Sequence, residues 1–356
     1  MRKPATTISS TSSSLVVANG LRDIVDKYDV FLLDMWGVMH DGFVAYDGVI
    51  DAVQKLKQAG KTMIVLSNSS QRQGKSFSNL QKLGFDPNDF HQIITSGEVA
   101  SLLLSGVSDL GGCQPWDVLT QIRKDNEQTG KPNKLFVLGT SPDRDLPYAE
   151  NCGWKLAPME EADLILASGT FSVNDGIQEI NKRNDADAYQ TALEDSLQKG
   201  AARGLPMIVS NPDKIRPDFE RPPMPGKLGD MYEQALMNAG LSATAAESLV
   251  KRIGKPFRDV YDIALKDSTS NLSRACMVGD ALETDVTGGS VVGIDTIWIL
   301  KDGVYQPEFE EGAAKGERLE ETAASILDDF NKNKEGTYAS GKPDQSPTVV
   351  LPHFKW

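Results

Sequence analysis

The sequence predicts an α/β protein built on a mostly parallel sheet. Three features predict it: short apolar runs rich in β-branched residues recur along the chain, turn residues close each run, and helix-like stretches lie between several of them. Continuous apolar runs of this length suit strands buried on both faces, and strands alternating with helices suit a layered α/β architecture.

The elements follow in chain order. DVFLLD (29–34) reads as the first strand. VIDAVQKLKQAGK (49–61) reads as a helix with Ile50, Val53 and Leu56 on one face and Gly60 as its C-terminal cap. TMIVLSN (62–68) and QIITSG (92–97) are the next strands, and a polar, weakly periodic stretch covers 105–133. KLFVLG (134–139) and ADLILASG (162–169) follow, then a second irregular stretch at 170–204, then LPMIVSN (205–211). RPDFERPPMPGK (216–227) is proline-dense and reads as a hinge or loop. Helices are expected in GDMYEQALMNAG (229–240) and DVYDIALK (259–266), and strands in RACMVGD (274–280) and DTIWIL (295–300). NKNKEGTYASGKPDQSP (331–347) has too little apolar surface to fold alone, whereas the closing TVVLPHFKW is apolar enough to dock back onto the body.

A length of 356 residues fits two domains, or one domain carrying a large insertion. A net charge of −13 disfavours nucleic acid and anionic membrane surfaces as partners. No apolar run is long enough to span a membrane. Cys113, Cys152 and Cys276 form no CxxC pair and are odd in number, which suits a reducing compartment such as the cytoplasm. The first residues, MRKPATTISSTSSS, are basic, rich in Ser and Thr, and free of acids. That composition fits a flexible terminus (1–19) or a transit peptide leading to an organelle.

In an open parallel sheet, ligands bind beyond the carboxyl ends of the strands. Four of the expected strands end in polar groups: Asp34, Ser67 with Asn68, Ser96, and Asp280. GDALETD adds Asp285, and GKP (254–256) adds Lys255. Phosphoryl transfer through an acyl phosphate needs this set. A carboxylate, Asp34, attacks phosphorus. Asp34 and Asp280 are hard oxygen ligands suited to Mg²⁺. Ser67 and Asn68 hold the phosphoryl oxygens, Lys255 balances charge, and Asp285 orients Lys255 or a metal-bound water. Plainer readings exist for each: a strand-end cap for Asp34, solvated loop acids for Asp280 and Asp285, a surface lysine for Lys255. Ser67 and Asn68 would cap the following helix, a role compatible with phosphate binding. Competing motifs fail. GKS at 74–76 lacks the P-loop glycine where Ser69 stands, no GxGxxG follows a strand, and the three histidines form no HExxH site.

DMWGVMHDG (34–42), SNSS (67–70), IGKP (253–256) and GDALETD resemble, in order and spacing, the four motifs of the haloacid dehalogenase superfamily. The set looks like the class IIA, NagD-like phosphatases, and the likeness runs from about residue 28 to 305. It includes DGVIDAVQKLKQAGK (47–61), and SNPD (210–213) is similar to the TNPD of that class. The resemblance implies a Rossmann-like core, Mg²⁺ dependence, and an α/β cap inserted between the second and third motifs. A mobile cap would exclude water and supply specificity contacts. The division expected is a discontinuous core (20–104 and 221–330), a cap (105–220) and a tail (331–356). Gly37, Ser67, Asn68, Asn211 and Asp213 are the expected substrate contacts, the last two being equally readable as turn chemistry. Asp34, Trp36, Asp280 and Asp285 are the expected metal ligands. The partner implied is a small phosphorylated metabolite, with a homodimer through the cap.

One position departs from the pattern. The family places a second aspartate two residues after the nucleophile, where it protonates the leaving oxygen and then activates water. Here Trp36 stands there. The backbone carbonyl, which the family uses as a metal ligand, remains. The acid–base work does not, because an indole neither gives nor takes a proton near neutral pH. Loss of a positioned acid/base typically costs about 10²–10⁴ in rate, least for good leaving groups. Tryptophan stands here in a subset of class IIA proteins similar to this one also in a closing LP…W segment. His40 and Asp41 are a candidate replacement or an ordinary loop pair, and Trp36 packs or stacks on substrate. The expectation is a Mg²⁺-dependent phosphatase acting through an aspartyl-phosphate on Asp34. The alternative is a phosphate- and Mg²⁺-binding sensor or regulatory protein that lost turnover through Trp36. Dehalogenase chemistry needs no metal, and the paired Asp280 and Asp285 argue against it.

Overall fold

The computed structural model describes residues 15–107, 113–216, 222–269 and 271–356. The targeting reading of residues 1–14 lies outside the described residues, as does the part of the proline-dense stretch at 217–221. The strands are β1 (Val30–Leu33), β2 (Thr62–Ser67), β3 (Gln92–Thr95), β4 (Asn133–Gly139), β5 (Trp154–Leu156), β6 (Leu164–Ala167) and β7 (Ser172–Asn174). They continue with β8 (Glu179–Asn181), β9 (Met207–Val209), β10 (Val250–Arg252), β11 (Ala275–Gly279), β12 (Asp295–Ile299) and β13 (Val349–Leu351). Every apolar run named above forms one of them.

The strands make two sheets. The first has the order β13-β12-β11-β1-β2-β3, parallel throughout. Its centre is β1, all four residues of which are buried. Val30 and Leu32 join one apolar cluster, and Phe31 and Leu33 join the cluster on the opposite face, as the two-residue period of a strand requires. Leu33 stands opposite Val65 of β2 and Val278 of β11. That register brings Asp34, Ser67 and Asp280 out at the same edge of the sheet.

Helix Val49–Gln58 covers this sheet, but with a different face from the one expected. Val49, Ala52, Val53 and Leu56 are buried, while Ile50 is 38% exposed. The helix starts right after Gly48, so the inward stripe runs i, i+3, i+4, i+7 from Val49.

The second sheet has the order β10-β9-β6-β4-β7-β8, with β5 alongside the start of β4. It is parallel except for β7, which runs antiparallel to both β4 and β8. The stretches that read as irregular hold helices Asp117–Thr129 and Ala186–Ala202. The buried side of the latter includes Ser196, Gly200 and Ala201 beside Tyr189, Leu193 and Leu197. Small residues on the packed side weaken the hydropathy period without weakening the packing. Pairing in this sheet runs on to Arg252, beyond position 220 where the insertion was expected to end, because β10 completes its edge against β9. Leu228, Tyr232 and Leu236 of helix Pro225–Asn238 join the same apolar cluster as Leu193 and Leu197.

The chain ends meet at the first sheet. Ala18 N–H donates to Val350 O (3.0 Å), and Val350 N–H donates to Val16 O (2.8 Å), so residues 16–18 are pinned although the segment through 19 was expected to be flexible. The closing TVVLPHFKW supplies β13 and the buried ring of Phe354. No helix among the described residues is long and apolar enough to cross a membrane.

Phe354 has no exposed surface and belongs to the cluster under β1. Phe354→Ala is expected to cost about 3–5 kcal/mol of stability. Urea unfolding checks this: the midpoint falls at unchanged slope, whereas an unmoved midpoint would mean the closing segment is not packed.

Candidate active site

Asp34 follows β1 directly, and its N–H donates to Val278 O at 2.9 Å, so the strand ladder itself aims it. Lys255 Nζ lies 2.6 Å from Asp34 Oδ1 and 2.7 Å from Asp285 Oδ1. The lysine arrives on the loop after β10, at the close of the second sheet. Asn68 holds it there. Lys255 N–H donates to Asn68 Oδ1 (2.7 Å), and Asn68 Nδ2 donates to Lys255 O (3.1 Å) and to Asp213 Oδ1 (2.7 Å). Gly254 makes the approach possible: its φ is +130°, and a Cβ there would meet Ser96 Oγ at 2.4 Å and Asn68 Oδ1 at 2.5 Å. The expected helix-capping role for Ser67 and Asn68 is not what forms, since the next helix starts only at Gln73. Ser67 Oγ instead accepts from Ser69 N–H at 3.2 Å. Asn211 Oδ1 accepts from Asp213 N–H (2.9 Å), which is turn chemistry, yet both residues also line the cavity described below.

Asp280 is buried, and its Oδ2 accepts from Val304 N–H at 2.7 Å. Carboxylate oxygens of Asp34, Asp280 and Asp285 lie within 4.8 Å of one another. Burial pushes Asp34 up despite Lys255, pushes Asp280 well above the usual range with the neighbouring carboxylates adding to it, and pushes Asp285 to about 6. Burial works against the charge on Lys255, but Asp285 and Asp34 outweigh it and hold its pKa above the ordinary value. Three carboxylates thus face one ammonium, a surplus of buried negative charge that a divalent cation would relieve. The donors are all oxygens, as Mg²⁺ prefers. Gly37, at φ +82°, brings the backbone so near that a Cβ would stand 2.2 Å from Asp280 Oδ2. The residues present therefore fit the ion.

Asp34, Asp280 and Lys255 line a cavity of about 490 Å³ between the two sheets. Trp36, Ser67, Asn68 and Lys255 form one wall, and Thr140, Arg144, Ser168 and Phe171 the other. A larger surface groove of about 770 Å³ between helices Ala186–Ala202 and Pro225–Asn238 holds no comparable cluster. Trp36 lies against Gly42, which shapes its turn. His40, the candidate replacement acid, does not reach the cavity lining. It is buried, its Nδ1 accepts from Gly42 N–H at 2.9 Å, and burial lowers its pKa. Asp41 Oδ1 closes the same turn by accepting from Phe43 and Val44 N–H, each at 2.8 Å.

Sequence reasoning missed the tail's part in this site. Tyr338 O–H donates to Pro212 O (2.6 Å), Tyr338 N–H donates to Glu283 Oε1 (3.0 Å), and Lys214 Nζ donates to Gly336 O (2.6 Å). Thr337 lines the cavity. The tail therefore ties the insertion to the first layer across the cavity rim. Its sequence gives no signal beyond one aromatic residue in a polar stretch.

Two family models match the chain: haloacid dehalogenase-like hydrolase over residues 31–154, and HAD-hydrolase-like over residues 252–332. The glycerol-3-phosphate phosphatase of Gallus gallus is 26% identical over 280 residues, spanning 78% of this chain and 81% of that protein. A solved structure described as a possible sugar phosphatase of the HAD superfamily from Cytophaga hutchinsonii matches with a TM-score of 0.62 at 18% identity, covering 96% of this chain and 99% of that one. NagD from E. coli K-12 matches with a TM-score of 0.54 at 18% identity, covering 92% and 97%. These two structural likenesses carry the fold.

The charge surplus has a measurable consequence. The folded-state pKa of Asp280 is raised, so metal-free protein is penalised by this group once pH rises above the unfolded value of about 3.9. Below that value the penalty is absent. Asp280→Asn removes it, so in chelator the variant's Tm should match wild type near pH 4 and exceed it near neutrality. Mg²⁺ should then raise the Tm of wild type near neutrality more than that of the variant. Equal Tm values across the pH range would contradict the electrostatic account.

Proposed function

This chain belongs to the haloacid dehalogenase-like hydrolases, and we propose that it is a class IIA member and a Mg²⁺-dependent phosphatase acting on a small phosphomonoester through an aspartyl-phosphate on Asp34. The observation that carries this reading is the meeting of Asp34, Asp280 and Asp285 oxygens within 4.8 Å, with Lys255 bridging two of them. The names of similar proteins support the substrate class, since the Gallus gallus protein is a glycerol-3-phosphate phosphatase.

Asp34, Asp280 and Asp285, with the Trp36 carbonyl, would hold the ion, which when bound neutralises charge on phosphoryl oxygens. Lys255 opposes the burial that raises Asp34 and places a second positive charge beside the phosphoryl group. An Asp34 carboxylate oxygen attacks phosphorus; the new P–O bond forms as the ester P–O bond breaks, and the ester oxygen leaves as an alkoxide that takes its proton from water. Water then attacks phosphorus, releases inorganic phosphate and restores Asp34. Residues that follow strands of the second sheet, and Thr337 of the tail, contribute to the lining of the cavity. Trp36 gives no proton to the leaving oxygen, so esters of acidic alcohols react best.

A second reading rests on the same indole: a protein that binds Mg²⁺ and phosphate and does not turn over. Hydrolysis of p-nitrophenyl phosphate with and without Mg²⁺ separates the two. Wild type is expected to hydrolyse it only with Mg²⁺, and Asp34→Asn is expected to abolish turnover. Trp36→Asp should speed hydrolysis of an alkyl phosphate by up to about 10²–10⁴, the worth of a positioned acid/base. Activity that survives unchanged in Asp34→Asn would rule out the mechanism.

A further inference from the structure

We propose that Arg144 forms a second anion-binding subsite in the cavity, and that the substrate is a phosphomonoester whose alcohol carries an anionic group of its own. This rests on the phosphatase reading for its first subsite and adds a second on the opposite wall.

Arg144 stands in the first turn of helix Pro142–Asn151, just past the end of β4, and lines the cavity. Its Nη2 donates to Ser70 Oγ at 2.7 Å and its Nη1 to Thr140 Oγ1 at 3.1 Å. Ser70 Oγ in turn donates to Ser168 O at 2.7 Å. Two hydroxyls therefore aim the guanidinium, and one of them lies two residues beyond Asn68, in the loop that holds Lys255. The subsite is thus held in register with the reacting centre.

The charge environment of Arg144 differs from that of the other cations described here. Lys255 faces Asp34 and Asp285, Lys214 faces Asp230 and Glu283, and Arg252 faces Asp230 and Glu233. No carboxylate among the described residues reaches Arg144 within ion-pair distance. Its sequence neighbour Asp145 is committed elsewhere, accepting from Thr140 N–H, Ser141 N–H and Ser172 O–H. A half-buried guanidinium with only hydroxyl partners pays a desolvation penalty that an anion would offset. The planar group has further N–H donors beyond the two in use, arranged for bidentate contact with a carboxylate or a phosphate.

A purely structural role would also account for the Ser70 contact, so the test reads a ratio. Three probes share a phosphoryl end: phosphoglycolate, 1,3-propanediol bisphosphate and 2-hydroxyethyl phosphate, whose other end is neutral. Their affinities are measured calorimetrically with Mg²⁺ on Asp34→Asn protein, which cannot turn them over, with and without Arg144→Met or Arg144→Lys. The expected result is that an anionic probe binds Asp34→Asn protein at least tenfold tighter than the neutral one, a difference typical of a charge-assisted contact. Arg144→Met should erase that ratio and Arg144→Lys should restore part of it. The stronger of the two anionic probes tells a carboxylate from a phosphate. An unchanged ratio in Arg144→Met, or no preference for either anionic probe before that change, overturns the subsite. Absence of p-nitrophenyl phosphate hydrolysis with the ratio intact would instead overturn the phosphatase reading and leave the subsite standing.

Discussion

A buried ammonium held between two buried carboxylates is the contact on which the rest of this structure depends. Lys255 has 2% of its side chain exposed and Asp285 has 1%. Neither charge would survive alone at that depth, because a single ion taken out of water costs several kcal/mol even after relaxation. Asp280 then crowds in beside Asp34 and Asp285 without a cation of its own among the described residues. Folding accepts this because the parallel ladder around β1 leaves no freedom to spread the carboxyl groups, and because Gly37 lets the backbone close over Asp280. The protein carries destabilising electrostatics at the one place where a cation and a phosphoryl group would relieve them.

Asn68 makes that arrangement communal. Its amide joins the loop after β2 to the backbone of Lys255 and to the carboxylate of Asp213. The three segments are distant in sequence, and two of them bracket the second sheet. Arg144 makes a separate link from the insertion to Ser70, and Tyr338 makes a third, from the tail to Pro212 and Glu283. The family resemblance implies a mobile cap. Here such a cap would have to break all three links to open, and each includes a residue lining the cavity. On the proposed function, opening and substrate entry would be coupled through these links.

The parts legible in the sequence were those with a strong local pattern. Eight apolar runs became strands because a strand buried on both faces has no way to look polar. Asp34, Asn68, Lys255, Asp280 and Asp285 were legible because each follows such a run or stands in a short motif with its own spacing. What stayed hidden lacked a local signature. Helix Ala186–Ala202 packs through small residues, so its period is faint. β10 is three residues long and belongs to the second sheet only by pairing with β9. Ile50 and Val49 are one residue apart, and the choice of inward face was made by the helix start rather than by hydropathy. Arg144 and Tyr338 gain their meaning only from partners 74 and 126 residues away.

Trp36 divides the chemistry of this site into two unequal halves. In the first, the difficulty depends on the leaving group, and an acidic alcohol departs without a proton donor. In the second, the leaving group has gone, and the attacking water faces the same aspartyl-phosphate whatever the substrate was. No choice of substrate compensates for a missing base at that stage. His40, which sequence proximity suggests, is turned into its own loop, where burial lowers its pKa. On the proposed mechanism the second half is therefore the slow one for good leaving groups, and Asp34 would spend most of each cycle phosphorylated. On that argument a weak phosphatase and a phosphate sensor are less far apart than they first look, because both describe a site that acquires a phosphoryl group more readily than it releases one.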